Sequence, residues 1–362
     1  MALTVSFLFD FESEMMVITE NEFARISASD VLWYRDIAKV RTTGKRREII
    51  AWLISNAQIY DGGPTGGGIR FDDMMAVTQE YDVRNANAGL QLEVNQVEDN
   101  DGDGFEYAGF WSAEVGALGA YWPQQLITTL ILNGATANSG VAYDGQNYFQ
   151  NATQTGHYVN PKQTGAGVYF NWFTGAASGE YPGALPIDES VSLDTAFKNM
   201  GKFFSYVASI KMPNGVTPRF LRPRRLAVGP RLMPRALQLT NAKYIAQAAS
   251  SGGGSGDVSS IIQYWGFLQP IEIQELAGAT SADSVQQDLT WYCALEELRT
   301  SQLGAFVYVD REPFRVTYYT GQGGGTGVDA ILDRARELEW HIQGRNVSGY
   351  GHPYAFHRID PT

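Results

Sequence analysis

Asp103–Gly134 reads DGFEYAGFWSAEVGALGAYWPQQLITTLILNG. Asp103 is a good N-cap, and Glu106 complements the positive end of a helix dipole. Trp111, Val115, Leu118, Trp122, Leu126 and Leu130 follow at spacings of three or four, which places them on one helical face. Gly134 is a C-terminal stop. The predicted helix is about 40 Å long at about 1.5 Å per residue. An element of that length, carrying Gly116, Gly119 and Pro123, needs tertiary support, and those three residues are its expected bending points. The apolar run Leu126 to Leu132 is far too short to span a bilayer, so no membrane partner is expected.

Upstream, Arg46 to Ile54 reads as a helical stretch. It leads to the flexible tract Gly62-Gly63-Pro64-Thr65-Gly66-Gly67-Gly68. Leu90-Gln91-Leu92-Glu93-Val94 alternates with a period of two, so a long hairpin-like excursion is expected around residues 55 to 92. Asp99-Asn100-Asp101-Gly102-Asp103-Gly104 copies the first half of a calcium loop. The twelfth position, however, is Phe110 instead of a bidentate Glu. Asp99, Asp101 and Asp103 are therefore read as an acidic turn ahead of a calcium site. Downstream, Ser192 precedes a stripe of Leu193, Ala196, Phe197, Met200, Phe204 and Val207, the pattern of a second helix. Arg225 to Val228 reads as a strand. Pro230 opens a helix expected to run to about Ala249. Strands are expected at Ile271 to Glu275, Leu289 to Leu295, Phe306 to Asp310, Phe314 to Tyr319, Glu337 to Gln343 and Tyr354 to His357. Further Gly-rich tracts lie at 250–256 and 321–327. None of the three is followed by Gly-Lys-Ser/Thr, which excludes a phosphate loop.

The chain has 362 residues, with 44% hydrophobic and 18% charged. The low charged share fits a surface hidden largely in subunit contacts. Net charge is −12. Basic residues cluster only at Lys45-Arg46-Arg47 and at Arg219, Arg222, Arg224, Arg225, Arg231 and Arg235, so a sequence-specific grip on nucleic acid is not expected. The single cysteine, Cys293, excludes an internal disulfide and a thiolate metal site, and its neighbours suggest a buried strand. His157, His341, His352 and His357 show no zincin spacing, and no Gly-x-Ser-x-Gly elbow positions a nucleophile. Structural roles are expected for all four, with no cofactor. Met1 to Asp10 is apolar but lacks a basic leader, so a signal peptide is not expected.

Several segments together resemble the Mu-like major head subunit family, whose members carry the Hong Kong 97-type phage capsid fold. The most telling is Tyr143-Asp144-Gly145-Gln146-Asn147-Tyr148-Phe149, followed by His157 and Asn160-Pro161. It is similar to the family's Tyr-Asp-Gly-Gln-Asn-Phe-Phe stretch after a long spine helix. Leu193 to Phe204 with Gly215-Val216 and Leu226-Ala227-Val228-Gly229-Pro230 resembles a second block, and Trp291-Tyr292 with Arg311-Glu312-Pro313 a third. Gly344-Arg345-Asn346-Val347 and Gly349-Tyr350-Gly351 look like the closing strands. The agreement is collinear over roughly residues 45 to 358 and weak before residue 45.

The resemblance implies an α+β chain with an N-terminal arm (1–44), an extended loop region (45–95), the spine helix of a peripheral domain (96–140), an axial domain with inserted loops (141–305) and return strands of the peripheral domain (306–362). It implies a major capsid protein that self-assembles as hexamers and pentamers into an icosahedral shell around double-stranded DNA, touched non-specifically. The glycines of 62–68 with Pro64 would be an assembly loop. Portal, scaffold and decoration proteins would be separate partners, with assembly in the host bacterial cytoplasm. The rival readings are an encapsulin-type compartment shell and a soluble calcium-dependent carbohydrate-acting enzyme.

Overall fold

Small residues set the axis of the fold. Residues 103–133 form one continuous helix through Pro123, and its tightest contacts are made by Gly and Ser. The protein's structure, a computed structural model, describes residues 5–29, 32–55, 74–93, 103–160, 167–213, 215, 218–241, 245–246, 258–259, 268–297, 304–318 and 337–362. In chain order the elements are α1 (Val5–Ser27), α2 (Tyr34–Ile37), β1 (Ala38–Thr42), β2 (Arg47–Ser55), β3 (Met74–Asp82), β4 (Arg84–Glu93), α3 (Asp103–Asn133), β5 (His157–Tyr158), β6 (Val168–Tyr169), β7 (Trp172–Phe173), α4 (Leu193–Ser209), β8 (Leu221–Val228), α5 (Met233–Asn241), β9 (Ile245–Ala246), β10 (Val258–Ser259), β11 (Gln269–Glu272), β12 (Trp291–Glu297), β13 (Phe306–Tyr318), β14 (Glu337–Tyr350) and β15 (Phe356–Ile359).

Two sheets organise these elements. The first has strand order β1-β13-β14-β4, with β1 parallel to β13 and the other pairs antiparallel. Strand periodicity gives it two distinct faces. Phe306, Tyr308 and Tyr350 join the main core beside α3, and Ile127 and Ile131 of α3 are fully buried there. Val307 and Val309 point the other way, onto Ile50 and Tyr81 at the root of the β2–β3 hairpin. That hairpin is a separate two-stranded sheet in unbroken register from Arg47↔Asp82 to Ser55↔Met74. The second large sheet has order β11-β8-β12-β15-β7, covered by α4 and α5.

Helix α1 lies along α3. Ser112 Oγ meets Met15 Sδ at 3.4 Å. A Cβ on Gly116 would stand 2.5 Å from the Thr19 carbonyl oxygen, and one on Gly119 3.5 Å from Phe23. Only residues without bulk allow the two backbones this close.

Several sequence expectations need correction. Arg46 to Ile54 is not helical: Arg47–Ser55 is strand β2, in which Ile50 is buried while Ile49 is 55% exposed. The apolar run is short and rich in β-branched residues, and pairing with β3 decides its state. Of the predicted stripe on α3, Val115 and Leu130 are buried and Trp111, Trp122 and Leu126 partly so, but the buried face is wider and shifted toward small residues. It runs through Ala108, Ser112, Val115, Ala120, Gln124, Ile127 and Ile131, and Leu118 is 47% exposed. The helix begins at Asp103 itself, so Asp103 is its first turn and not the residue before it. Within the helix expected from Pro230 to Ala249, Met233–Asn241 is helical, whereas residues 245–246 pair as a strand. The two predicted strands Phe306 to Asp310 and Phe314 to Tyr319 are one strand with register shifts between Asp310 and Arg315. The last strand is expected among the returning strands of 306–362, but β15 pairs with β12 and β7 inside the second sheet. By contrast α4 starts as read, with the Ser192 side chain accepting from the Thr195 amide.

The packing of α1 generates a prediction. Gly116→Ala should cost about 1–3 kcal/mol, because the added methyl must push the α1 backbone away. Urea unfolding of the subunit measures this; an unchanged midpoint would show that α1 does not pack at Gly116.

Candidate functional site

The segment after α3 ties the two sheets together. The Gly134 carbonyl accepts from the Phe149 amide at 2.7 Å, closing a loop of about fifteen residues. Within it, the Asp144 carboxylate accepts from the Gln146 amide at 3.2 Å, and Gly145 has φ +78. This is an Asx-type turn that needs Gly where it stands. Asn147 donates to the Ala135 carbonyl at 3.0 Å. The next two residues touch edge-on, ring centroids 5.2 Å apart, and each reaches a different sheet. Tyr148 is fully buried, stacks on Tyr350 with centroids 4.6 Å apart, and donates to the Ala305 carbonyl at 2.8 Å. Phe149 packs against Tyr292 and Phe356 of the second sheet. Tyr143 packs edge-on against His352 and donates to the Tyr158 carbonyl at 3.4 Å. Burial pushes its phenol up to about 12.

Buried polar pairs that sequence reading missed lock the same junction. His157 Nδ1 lies 2.8 Å from Asp144 Oδ2 and Nε2 lies 2.9 Å from the Tyr148 carbonyl, with both side chains fully buried. Arg358 is also fully buried. It forks onto Asp283 at 2.9 and 3.0 Å and reaches Asp360 at 3.0 Å. Asp360 in turn accepts from Trp172 Nε1 at 2.7 Å and Thr290 at 2.9 Å. Burial alone would raise the Asp283 carboxyl, but the Arg358 fork holds it below the ordinary carboxylate range. Glu275 accepts from both Trp33 at 3.3 Å and Gln124 of α3 at 2.9 Å. The Leu132 carbonyl near the end of α3 accepts from the Ala282 amide at 2.9 Å. The sequence spacing of these partners is long, so no local motif announces them.

His357 lies between Phe173 and Phe203 with neither ring nitrogen hydrogen-bonded among the described residues. Burial, with His157 nearby, lowers its pKa to about 3. Cys293 is fully buried on β12, and burial raises its thiol far above the reactive range. No cluster of potential metal ligands occurs among the described residues.

The structure treats the sequence-predicted site residues unequally. It brings Tyr143, Asp144, Gly145, Gln146, Asn147 and Phe149 together as the junction turn. Gly116, Gly119 and Pro123 sit where α3 meets α1 and the first sheet, with Pro123 buried. Gly62, Gly63, Pro64, Gly66, Gly67 and Gly68 lie outside the described residues, as do Asp99 and Asp101. Asp103 opens α3, and its side chain is outside the description. Of the basic clusters, Arg47 pairs with Glu80 and Asp82, Arg224 with Glu296, and Arg225 with Asp36.

Two predictions arise from this junction. Asp360→Ala takes one of two carboxylate partners from Arg358 and leaves the buried Trp172 Nε1 and Thr290 hydroxyl without their acceptor, so it should cost about 1–3 kcal/mol or more in urea unfolding; a loss under about 1 kcal/mol would contradict the clamp. His357 stays neutral in the folded chain down to a pH of about 3, whereas the unfolded chain takes up its proton near about 6.5. Stability should therefore fall as pH drops below about 6.5, by up to about 1.4 kcal/mol per pH unit for this group. His357→Phe should flatten that slope; equal slopes would remove His357 as its source.

No family model matches the chain, and no curated protein matches it. Solved structures do. The chain is similar to the mature capsid chain of bacteriophage PhiM1 at 11% identity and TM-score 0.50, over 90% of this chain and 86% of that one. It also matches the procapsid of bacteriophage JBD30 at 15% identity and TM-score 0.46, over 98% of this chain and 75% of that one. A virus-like particle from Pyrococcus furiosus matches at 6% identity and TM-score 0.45, over 96% and 98% of the two chains. The PhiM1 likeness fixes the architecture: this α+β chain has the Hong Kong 97-type capsid fold.

Proposed function

We propose that this chain is the major capsid protein of a tailed bacteriophage, and that it self-assembles as hexamers and pentamers into an icosahedral shell around double-stranded DNA. The observation that carries the proposal is the near full-length likeness to the PhiM1 mature capsid chain, joined to a junction whose buried Arg358 bonds to Asp283 and Asp360 as a structural clamp. The order of segments from about residue 45 to 358 supports membership of the Mu-like head subunit family. On this reading the chain is structural and not an enzyme.

The physical work is mechanical. In the proposed division, α3 and the first sheet form the peripheral domain, the second sheet with α4 and α5 forms the axial domain, and residues 45–95 form the extended loop. Obligate interfaces bury about 2,000–5,000 Å², or tens of kcal/mol gross at about 25 cal/mol per Å² before the costs of association. Contacts repeated around each subunit make a closed shell persistent although each is modest. Portal, scaffold and decoration proteins are proposed as separate partners, with assembly in the host cytoplasm. A chain with net charge −12 suits a wall against which packed DNA lies without sticking.

Expression followed by negative-stain microscopy tests the proposal. Closed shells of regular size are expected; discrete monomers at high concentration together with a measurable turnover would overturn it. Deleting Ile59 to Ile69 should leave a subunit with unchanged circular dichroism that no longer forms shells. Normal shells from that deletion would dismiss the loop's role.

A further inference from the structure

Inside α3, Pro123 has no amide hydrogen to offer, so the Gly119 carbonyl four residues earlier loses its helical donor. Both residues line a cavity of about 620 Å³ between α1, α3 and the first sheet. Asp310 of β13 lines it too, as the one acidic side chain on the wall. Its Oδ1 is buried with no hydrogen-bond partner among the described residues. Asn346, opposite Asp310 on β14, does not supply one. Its Oδ1 accepts from Trp122 Nε1 at 2.9 Å, and its Nδ2 is itself without a partner among the described residues.

Much of the remaining wall is aromatic. Phe23, Tyr34, Tyr308 and Phe314 line the cavity, with Tyr34 and Tyr308 edge-on at 5.9 Å between centroids. Ring faces and carboxylates both attract cations. Burial raises the Asp310 carboxyl, and no neighbouring charge counters it. Arg35 also lines the cavity, yet no ion pair joins it to Asp310 among the described residues. Its Nε donates to the Tyr34 hydroxyl at 3.4 Å, and its guanidinium carbon lies 5.7 Å from the Tyr34 ring centre. Arg35 and Val40 are exposed, which leaves the cavity open to solvent on their side.

We propose that this cavity binds a free alkylammonium ion, with the ammonium group bonded to Asp310 Oδ1 and the Gly119 carbonyl and the apolar stem against the rings. An ammonium is a compact charge with three rotatable donors, so it can serve both acceptors at once. A metal ion fits less well, because a hard cation asks for about six oxygen ligands and this wall is largely apolar. Arg35, a like charge on the rim, works against the ligand. The inference concerns the interior of one subunit and goes beyond the shell reading, which stands or falls separately.

Titration calorimetry of the full-length chain with n-butylammonium chloride tests the site, with n-butanol and sodium chloride as controls. Saturable binding is expected for n-butylammonium alone. Asp310→Asn keeps the side chain's shape and should weaken that binding by roughly tenfold or more, through loss of a charge-assisted hydrogen bond. Pro123→Ala returns an amide donor to the Gly119 carbonyl and should weaken it several-fold. Arg35→Gln removes the rim charge at an exposed position and should tighten it. Circular dichroism checks that each variant is folded. Should Asp310→Asn fail to fold, the Arg35→Gln result still decides, because weaker or unchanged binding there would overturn the site. No saturable heat with n-butylammonium, equal binding of n-butanol, or an unchanged affinity in folded Asp310→Asn or Pro123→Ala would overturn it as well. Binding that vanishes when chains assemble would give the cavity to a lysine of a neighbouring chain and overturn the free-ion reading.

Discussion

Two neighbouring rings in the bend after α3, Tyr148 and Phe149, hold this structure together: they touch edge-on, centroids 5.2 Å apart, and each also packs into a different sheet. The loop that leaves α3 is closed by the bond between the Phe149 amide and the Gly134 carbonyl. Closure sends one ring into each sheet: Tyr148 onto Tyr350 and Phe306, Phe149 onto Tyr292 and Phe356. The two layers cannot shift relative to each other without breaking ring contacts on both sides. A Cβ on Gly134 would strike the Phe149 ring, so the helix must end on a residue without one. The buried Asp144–His157 pair, 2.8 Å apart, fixes the same loop from below, and burying such groups is tolerable only because each has a partner.

Much of this is legible in the chain. The long helix, the helix after Ser192, the period-two run near Leu90 and the strand around Cys293 all follow from spacing and caps. The face of α3 is not legible, and the reason is physical. This helix is apolar nearly all round, so large residues mark no single side. The closest contacts fall to Gly116, Gly119 and Ser112, whose value is their lack of bulk, while Leu118 is left partly in solvent. Arg47–Ser55 illustrates a second limit. A short apolar run has no decisive period, and pairing with β3 settles its state. The junction motif is readable as a block, but its partners are not. Arg358 meets Asp283 across 75 residues of sequence, and nothing local predicts such a pair.

The proposed shell role would set rigidity against adjustment in this chain. The core around Tyr148 and the Arg358 clamp supply rigidity, because fully partnered buried charge tolerates little displacement. Adjustment is left to elements attached through narrower contacts. The hairpin meets the body through Ile50 and Tyr81, with Tyr81 donating to the Tyr350 carbonyl at 2.7 Å. Glu275 links the second sheet to α3 and to Trp33 through single hydrogen bonds. In the proposed shell, five-fold and six-fold surroundings would ask different angles of the same chain, and the hairpin's narrow attachment could bend without unpacking the core.

The place of β15 has a consequence for when a subunit becomes competent. It fills the gap between β12 and β7, so the second sheet remains two disconnected pieces until residues 356–359 arrive. On a ribosome those residues emerge after every other strand of that sheet. A nascent chain therefore carries an unfinished layer until residues 356–359 have emerged. On the proposed shell reading, a chain still lacking those four residues would have no finished second layer to offer a neighbour.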